Sequence, residues 1–245
     1  MSLVEEFDKR GNLFFKYRSY LPVILYPLAT IVLILEFKQD INLPELSWSI
    51  ICLSISLLGL LVRVLVIGFT PKGTSGRNTA KQVAETVNTK GIYSVVRHPL
   101  YLGNFLMWFG IILYVNNIWF AITTILLFWL YYERIMFAEE QFLKGKFGDQ
   151  YLKWSMTAPP FLPKLKGWQT ADLEFSLRNV LKREYNGLFA VGISFAYLNV
   201  LKNYLANKEF MISDFWLYTL ITTFVIFIVL RTLKKKTRIL HVEGR

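Results

Sequence analysis

The sequence predicts an all-α fold, a polytopic membrane helical bundle of about six transmembrane helices. Three observations carry this. Hydrophobic residues make up 54% of the 245 and the mean hydropathy is +0.38, far from the balance of a soluble domain. Apolar runs recur at lengths near the roughly 20 residues that cross a hydrocarbon core as a helix. Finally, if those runs are threaded back and forth with both termini cytoplasmic, all of the 28 basic residues except Lys38, Arg63, Lys202 and Lys208 fall on one side, as expected of cytoplasmic loops.

The elements follow in order. The N-terminal "MSLVEEFDKRGNLFFKYRSY" is acidic and basic by turns and has no signal-peptide cleavage pattern, so insertion is expected to depend on internal spans. Residues 20–37 and 46–69 form the first two spans, the second interrupted only by Arg63. The connection from 70 to 98 is rich in Gly, Thr, Asn and charge, which suits a solvated loop with some local helix. Runs 100–115 and 118–132, parted by Asn116 and Asn117, are short for full spans and read as a tight helical hairpin. An amphipathic, charged stretch follows, closed by "APPFLPK". Residues 185–206 and 215–230 complete the six, ahead of the basic "KKKTR". Two divisions are expected: 1–184 as the core carrying the site, and 185–245 as two additional helices and a basic tail.

The net charge of +11 lies between apolar runs, and no nucleic-acid-binding signature accompanies it, so its expected partners are the bilayer and anionic headgroups. Cys52 is the one cysteine, and His98 and His241 are the only histidines. No intrachain disulfide is possible and no metal site is expected.

Chemistry-bearing residues gather in "YSVVRHPLYLGN", 93–104, at the entrance to the hairpin. Pro99 suits the first position of a helix and pushes His98 into a capping position. The helix start then presents amides and a dipole able to hold an anion. Arg97 adds a planar fork of donors suited to carboxylate or phosphate. Tyr101 supplies a polar-tipped aromatic, and Gly103 a place for close approach. A second cluster, "FAEEQFLKGKFGDQYLKW", brings Glu139 and Glu140, able to accept from ribose hydroxyls or face a cation. Glu140 and Lys144 equally suit an i,i+4 pair on a solvated face. Tyr151 and Trp154 either cover a ligand or anchor at the interface. Arg63, mid-span, calls for an interior partner or snorkels to an edge about 9 Å away.

These pieces resemble the isoprenylcysteine carboxyl methyltransferase superfamily, which includes phospholipid methyltransferases. The matching strings are "GLLVR" at 59–63, "GIYSVVRHPLYLG" at 91–103 and "EEQFLKGKFGDQYLKW" at 139–154, in order and spacing over about residues 46–163. The resemblance implies a small integral-membrane enzyme using S-adenosyl-L-methionine, held between the hairpin and the helix after it. It also implies that His98, Pro99, Tyr101, Leu102, Gly103, Glu139 and Glu140 line the cofactor pocket. Prenylcysteine methyltransferases commonly carry an arginine just past the second motif, where this chain has "SMTAPP". The string from 75 to 104 is similar to a bacterial branch that methylates lipid A phosphate, which would place the protein in the cytoplasmic membrane.

For an anionic acceptor, phosphate or carboxylate, Arg63, Arg97 and Arg134 are the expected anchors, and no general base is needed. An amine acceptor, as on phosphatidylethanolamine, would need a base, with Glu139 or Tyr151 the candidates. The rival class is a sterol-type membrane reductase using NADPH, which shares a similar hairpin and an "RHP-x-Y" like string. Its tyrosine and glycine are often followed by an acidic residue, where this chain has Asn104.

Overall fold

A computed structural model describes residues 2–36, 43–71, 73, 82–164 and 166–245. The expected span end at Phe37, the basic Lys38, and residues 75–81 of the string from 75 to 104 lie outside the described residues. Among those described there are eight α-helices and no strand: α1 (Leu3–Tyr17), α2 (Leu25–Glu36), α3 (Leu46–Phe69), α4 (Pro99–Val115), α5 (Ile118–Phe147), α6 (Asp149–Ser155), α7 (Leu177–Asn207) and α8 (Asp214–Lys236).

Four of them, α3, α5, α7 and α8, are each long and apolar enough to cross a membrane. α1 and α2 are bent by 71° at the intervening turn and would add one more span if taken as a broken pair. The bend follows from a 3-10 turn over Leu21–Ile24 with Pro22 near its start. α4 has 17 residues, short for a span on its own.

α1 is an element that apolar counting passed over. Ser2 caps it, its Oγ accepting from the Glu5 amide at 3.3 Å while Glu5 Oε2 accepts from the Ser2 amide at 2.8 Å. The helix lies along α5, with Gly11 against the Arg134 carbonyl and Phe7 edge-on to Phe137 at 5.6 Å.

α3 and α4 cross closely because both offer glycine. A Cβ on Gly59 would fall 2.5 Å from the Gly103 carbonyl, and one on Gly103 would fall 2.6 Å from Arg63 Cγ. The hairpin turn uses both asparagines. Asn116 adopts the left-handed conformation (φ 66°) that ends α4, and Asn117 Oδ1 accepts from the Phe120 amide at 2.6 Å to start α5.

Of the four long helices α7 is the most enclosed, with 56% of its apolar stretch buried against 11% for α8. α7 therefore sits centrally and α8 faces outward. Away from the His98 motif, Phe195 stacks on Trp216 at 4.5 Å, and Tyr114, Leu198 and Leu33 close the core around them. Lys202, expected in a loop on the far side, is instead 1% exposed within α7. Its Nζ donates to the Val115 carbonyl at 2.9 Å, satisfying an acceptor left open where α4 ends. α7 also begins earlier than its apolar run. Ser176 caps it, accepting from the Asn179 amide at 3.3 Å, so a division at 184/185 falls inside one continuous helix.

Candidate active site

Pro99 begins α4, and His98 before it has φ −119° and ψ 59°, outside helical geometry. The motif is clamped by the segment after α6. The Arg97 and His98 amides donate to the Pro159 and Pro160 carbonyls at 2.8 and 3.1 Å, and Lys164 N donates to Val95 O at 2.9 Å. Trp154 Nε1 donates to the Tyr93 carbonyl at 3.0 Å. The proline-rich stretch that ends α6 thus also braces the catalytic-looking motif from beneath.

So braced, the buried His98 ring is held between both glutamates of α5. Nε2 lies 3.0 Å from Glu140 Oε1 and Nδ1 lies 3.4 Å from Glu139 Oε2. Only the imidazolium has a donor at each ring nitrogen. Burial alone would lower the His98 pKa, but the two carboxylates outweigh it and hold it above the ordinary histidine value. Tyr101 stacks on the ring at 5.6 Å. Glu140 turns its other oxygen to Arg97 Nη1 at 3.3 Å, so it serves His98 and Arg97 in place of the expected pair with Lys144.

A cavity of about 540 Å³ opens in front of this assembly, within the range of small-molecule sites. Of the residues named from the sequence, Arg63, Arg97, His98, Pro99, Tyr101 and Glu139 line it. The other expected residues lie off its wall. Leu102 packs into the aromatic cluster of Phe128 and Tyr132. Gly103 faces α3, where it permits the close crossing. Glu140 stands behind His98. Arg134 pairs with Glu133 at 2.9 Å and its guanidinium sits 3.4 Å from the centre of the Phe7 ring, so it fastens α1 to α5. Tyr151 is 3% exposed and its hydroxyl, lying toward Glu140 and Arg97, closes no hydrogen bond among the described residues. Burial, then the Glu140 charge, raises the Tyr151 pKa, which keeps the phenol protonated.

The expected anion-holding amides are also fewer than a helix start usually offers. Those of Tyr101 and Leu102 both turn back to the His98 carbonyl, at 3.1 and 3.2 Å, and Pro99 has none. Leu100 keeps the one first-turn amide outside the described backbone bonds.

Arg63 neither snorkels nor stands alone. Its Nε and Nη2 donate to Glu184 on α7 at 2.7 and 3.0 Å, and Nη1 donates to Asn104 Oδ1 at 2.6 Å. Asn104 Nδ2 in turn donates to the Tyr132 hydroxyl at 3.2 Å. Nothing local in the sequence assigns Glu184 or Asn104 to Arg63, although the demand of a mid-span arginine for a partner is the available signal. Asn179, Lys182 and Arg183 of α7 and Arg245 of the tail also line the cavity.

Arg63, Arg97, His98 and Glu139 thus line one cavity in a bundle of membrane-length helices, the arrangement of a small-molecule site in a membrane protein. Residues 48–150 match the family model for phospholipid methyltransferase. The protein-S-isoprenylcysteine O-methyltransferase B of Arabidopsis thaliana is 30% identical over 152 residues, 56% of this chain and 73% of that protein. Protein-S-isoprenylcysteine O-methyltransferases of Schizosaccharomyces pombe (32% over 75 residues, 31% of this chain and 32% of that one) and Xenopus laevis (29% over 153 residues, 58% and 51%) are similar over smaller shares of their length. No solved structure matches the chain significantly. The chain belongs to the isoprenylcysteine and phospholipid methyltransferase superfamily. It is thus a multi-pass membrane methyltransferase, which sets aside the NADPH reductase expectation.

Proposed function

We propose that this methyltransferase uses S-adenosyl-L-methionine and delivers the methyl group to an anionic oxygen on a membrane lipid, a phosphate or carboxylate. The lipid A phosphate is the particular acceptor suggested by the resemblance of residues 75–104. The observation that carries the reading is His98 held between Glu139 and Glu140 at the wall of the cavity.

The residues present fit the donor molecule. Arg97 and the Leu100 amide can meet its carboxylate, Glu139 its ammonium or ribose hydroxyls, and Tyr93 and Trp154 its flat apolar base. When bound, the donor supplies a methyl group on a positively charged sulfur. The work left to the chain is to orient that group and keep water out, and alignment of this kind recovers on the order of 7–11 kcal/mol of barrier. An anionic acceptor needs no proton removed, in keeping with a Tyr151 phenol that is buried, protonated and off the wall. Arg63 and Arg97 at the cavity wall favour such an acceptor over an amine.

In this reading both termini and the motif-bearing loops face the cytoplasm, α1–α2 and the α4–α5 hairpin complete six passes, and the acceptor enters sideways from the bilayer. The test is direct. Purified protein in detergent should bind S-adenosylhomocysteine, His98→Ala and Glu139→Ala should each weaken binding while melting cooperatively, and radiolabelled donor with total membrane lipid should label an anionic lipid identified by mass spectrometry. Unchanged affinity in both variants would reject this pocket.

A further inference from the structure

Arg63 on α3 stands at the cavity wall, and its carboxylate partner comes from α7, outside the 48–150 region matched by the family model. A guanidinium carries five N–H groups. Glu184 takes two of them, from Nε and Nη2, and Asn104 Oδ1 takes a third, from Nη1. The Asn104 amide is fixed in this sense, since reversing it would set its NH2 group against the guanidinium. One N–H on each terminal nitrogen is then left over, with no acceptor among the described residues. Those two are what Arg63 can offer a ligand in the cavity.

The same partner sets the charge. A carboxylate bound through two hydrogen bonds offsets much of the guanidinium's field while leaving its remaining donors directional. Arg97, the other arginine on the wall expected to meet an anion, is likewise matched, by Glu140 at 3.3 Å. This bears on transfer to an anionic oxygen. The acceptor oxygen gives an electron pair to the methyl carbon as the carbon–sulfur bond breaks toward sulfur, and the acceptor's negative charge disappears with the donor's positive one. A bare cation beside that oxygen would stabilise the charged reactant more than the transition state, in which the charge is fading. It would tighten binding at the expense of turnover.

We infer that Glu184 is a positioning residue for methyl transfer: from α7 it orients the Arg63 fork so that two N–H groups meet the anionic acceptor, and it offsets the guanidinium charge so that the acceptor oxygen stays reactive. Asn104 completes the orientation from α4. This rests on the reading of the cavity as a site of methyl transfer to an anionic lipid, and adds what α7 contributes to it. The donor wall, His98 and Glu139, lies inside the matched region, whereas the tuning of the acceptor's anchor depends on a helix beyond it.

The test uses the full chain in detergent, radiolabelled S-adenosyl-L-methionine and a titrated extract of total membrane lipid to give KM and kcat, with S-adenosylhomocysteine binding read by calorimetry. Glu184→Gln keeps the size of the side chain and one acceptor for Arg63 but removes the charge. It should lower the lipid KM about threefold while kcat falls about tenfold, with S-adenosylhomocysteine affinity within about twofold of wild type. Asn104→Asp moves the charge the other way and keeps both hydrogen bonds, because the Tyr132 hydroxyl can turn to donate. It should raise KM about tenfold with kcat held or increased, and it decides alone if Glu184→Gln does not melt cooperatively. A merely structural role predicts a KM that rises or stays and a kcat that falls in both variants. That outcome, or donor affinity lost in step with turnover, would overturn the inference while wild type still labels an anionic lipid. Wild type that labels no anionic lipid in the extract removes the reading of the function, and the inference with it.

Discussion

Arg63 of α3 and Glu184 of α7 meet through two hydrogen bonds, 2.7 and 3.0 Å long, with the carboxylate 6% exposed and the guanidinium 23%. The pair ties a helix inside the family-matched region to one beyond it and stands on the wall of the cavity. Glu184→Gln removes the charge that Arg63 faces and leaves an inadequately compensated cation among helices. We expect a loss of about 3 kcal/mol, near the lower bound for breaking a buried pair because Asn104 still holds Nη1. Thermal unfolding in detergent measures this, and an unshifted midpoint would show the pair to be a surface contact.

Gly103→Ala tests the α3–α4 crossing. The added methyl would lie 2.6 Å from Arg63 Cγ and 2.8 Å from the Gly59 carbonyl, and a backbone atom cannot swing aside. The helices must part, at about 1–3 kcal/mol, and Arg63 must move with them. The expected signature is a lower midpoint together with weakened lipid turnover. Wild-type stability in this variant would mean the crossing is looser than the distances indicate.

His98 should make stability depend on pH in a defined direction. Its pKa is raised in the folded chain above an unfolded value of about 6.5. Its contribution is therefore complete below about pH 6.5 and is lost as pH rises through the folded value. The facing groups are Glu139 and Glu140 from α5, Arg97 from the preceding turn and Tyr101 from α4. The midpoint difference between wild type and His98→Gln should be greatest near pH 6 and shrink toward alkaline pH. A difference that does not change with pH would mean that the fold leaves the His98 pKa at its unfolded value, and one that grows as pH rises through about 6.5 would mean that His98 is neutral in the fold.

Tyr151→Phe separates acceptor chemistries. The hydroxyl makes no hydrogen bond among the described residues and lines no part of the cavity, so its removal should cost under about 1 kcal/mol and leave methylation intact. Trp154→Phe should cost more, because it deletes the donor to the Tyr93 carbonyl. If Tyr151→Phe abolished turnover while keeping donor binding, a base would be at work and an amine acceptor would be the better reading.

Much of this protein is legible in its residues because membrane insertion and helix starts are local matters. Apolar run length marks α3, α5, α7 and α8, Asn116 and Asn117 mark the hairpin turn, and Pro99 marks the start of α4. The grouping of His98 with Glu139 was legible only through the family resemblance of the two motifs that carry them. What escaped were residues whose role depends on contact between distant helices. α1 is too charged to register as a span, yet Gly11 and Phe7 dock it on α5. Arg134 looks like an anion anchor in a string of letters and turns out to face Phe7.

By itself the sequence determined a membrane bundle and its helix starts, since these depend on hydropathy and capping, while the pairing of the two motifs came from their family resemblance. Tertiary structure decided the partners. Glu184 answers Arg63 from 121 residues away, Lys202 closes the end of α4, and the first turns of α7 complete the cavity. The physical reason is that a buried charge must find its counter-charge or carbonyl wherever packing brings one within reach, and no local pattern encodes which helix that will be.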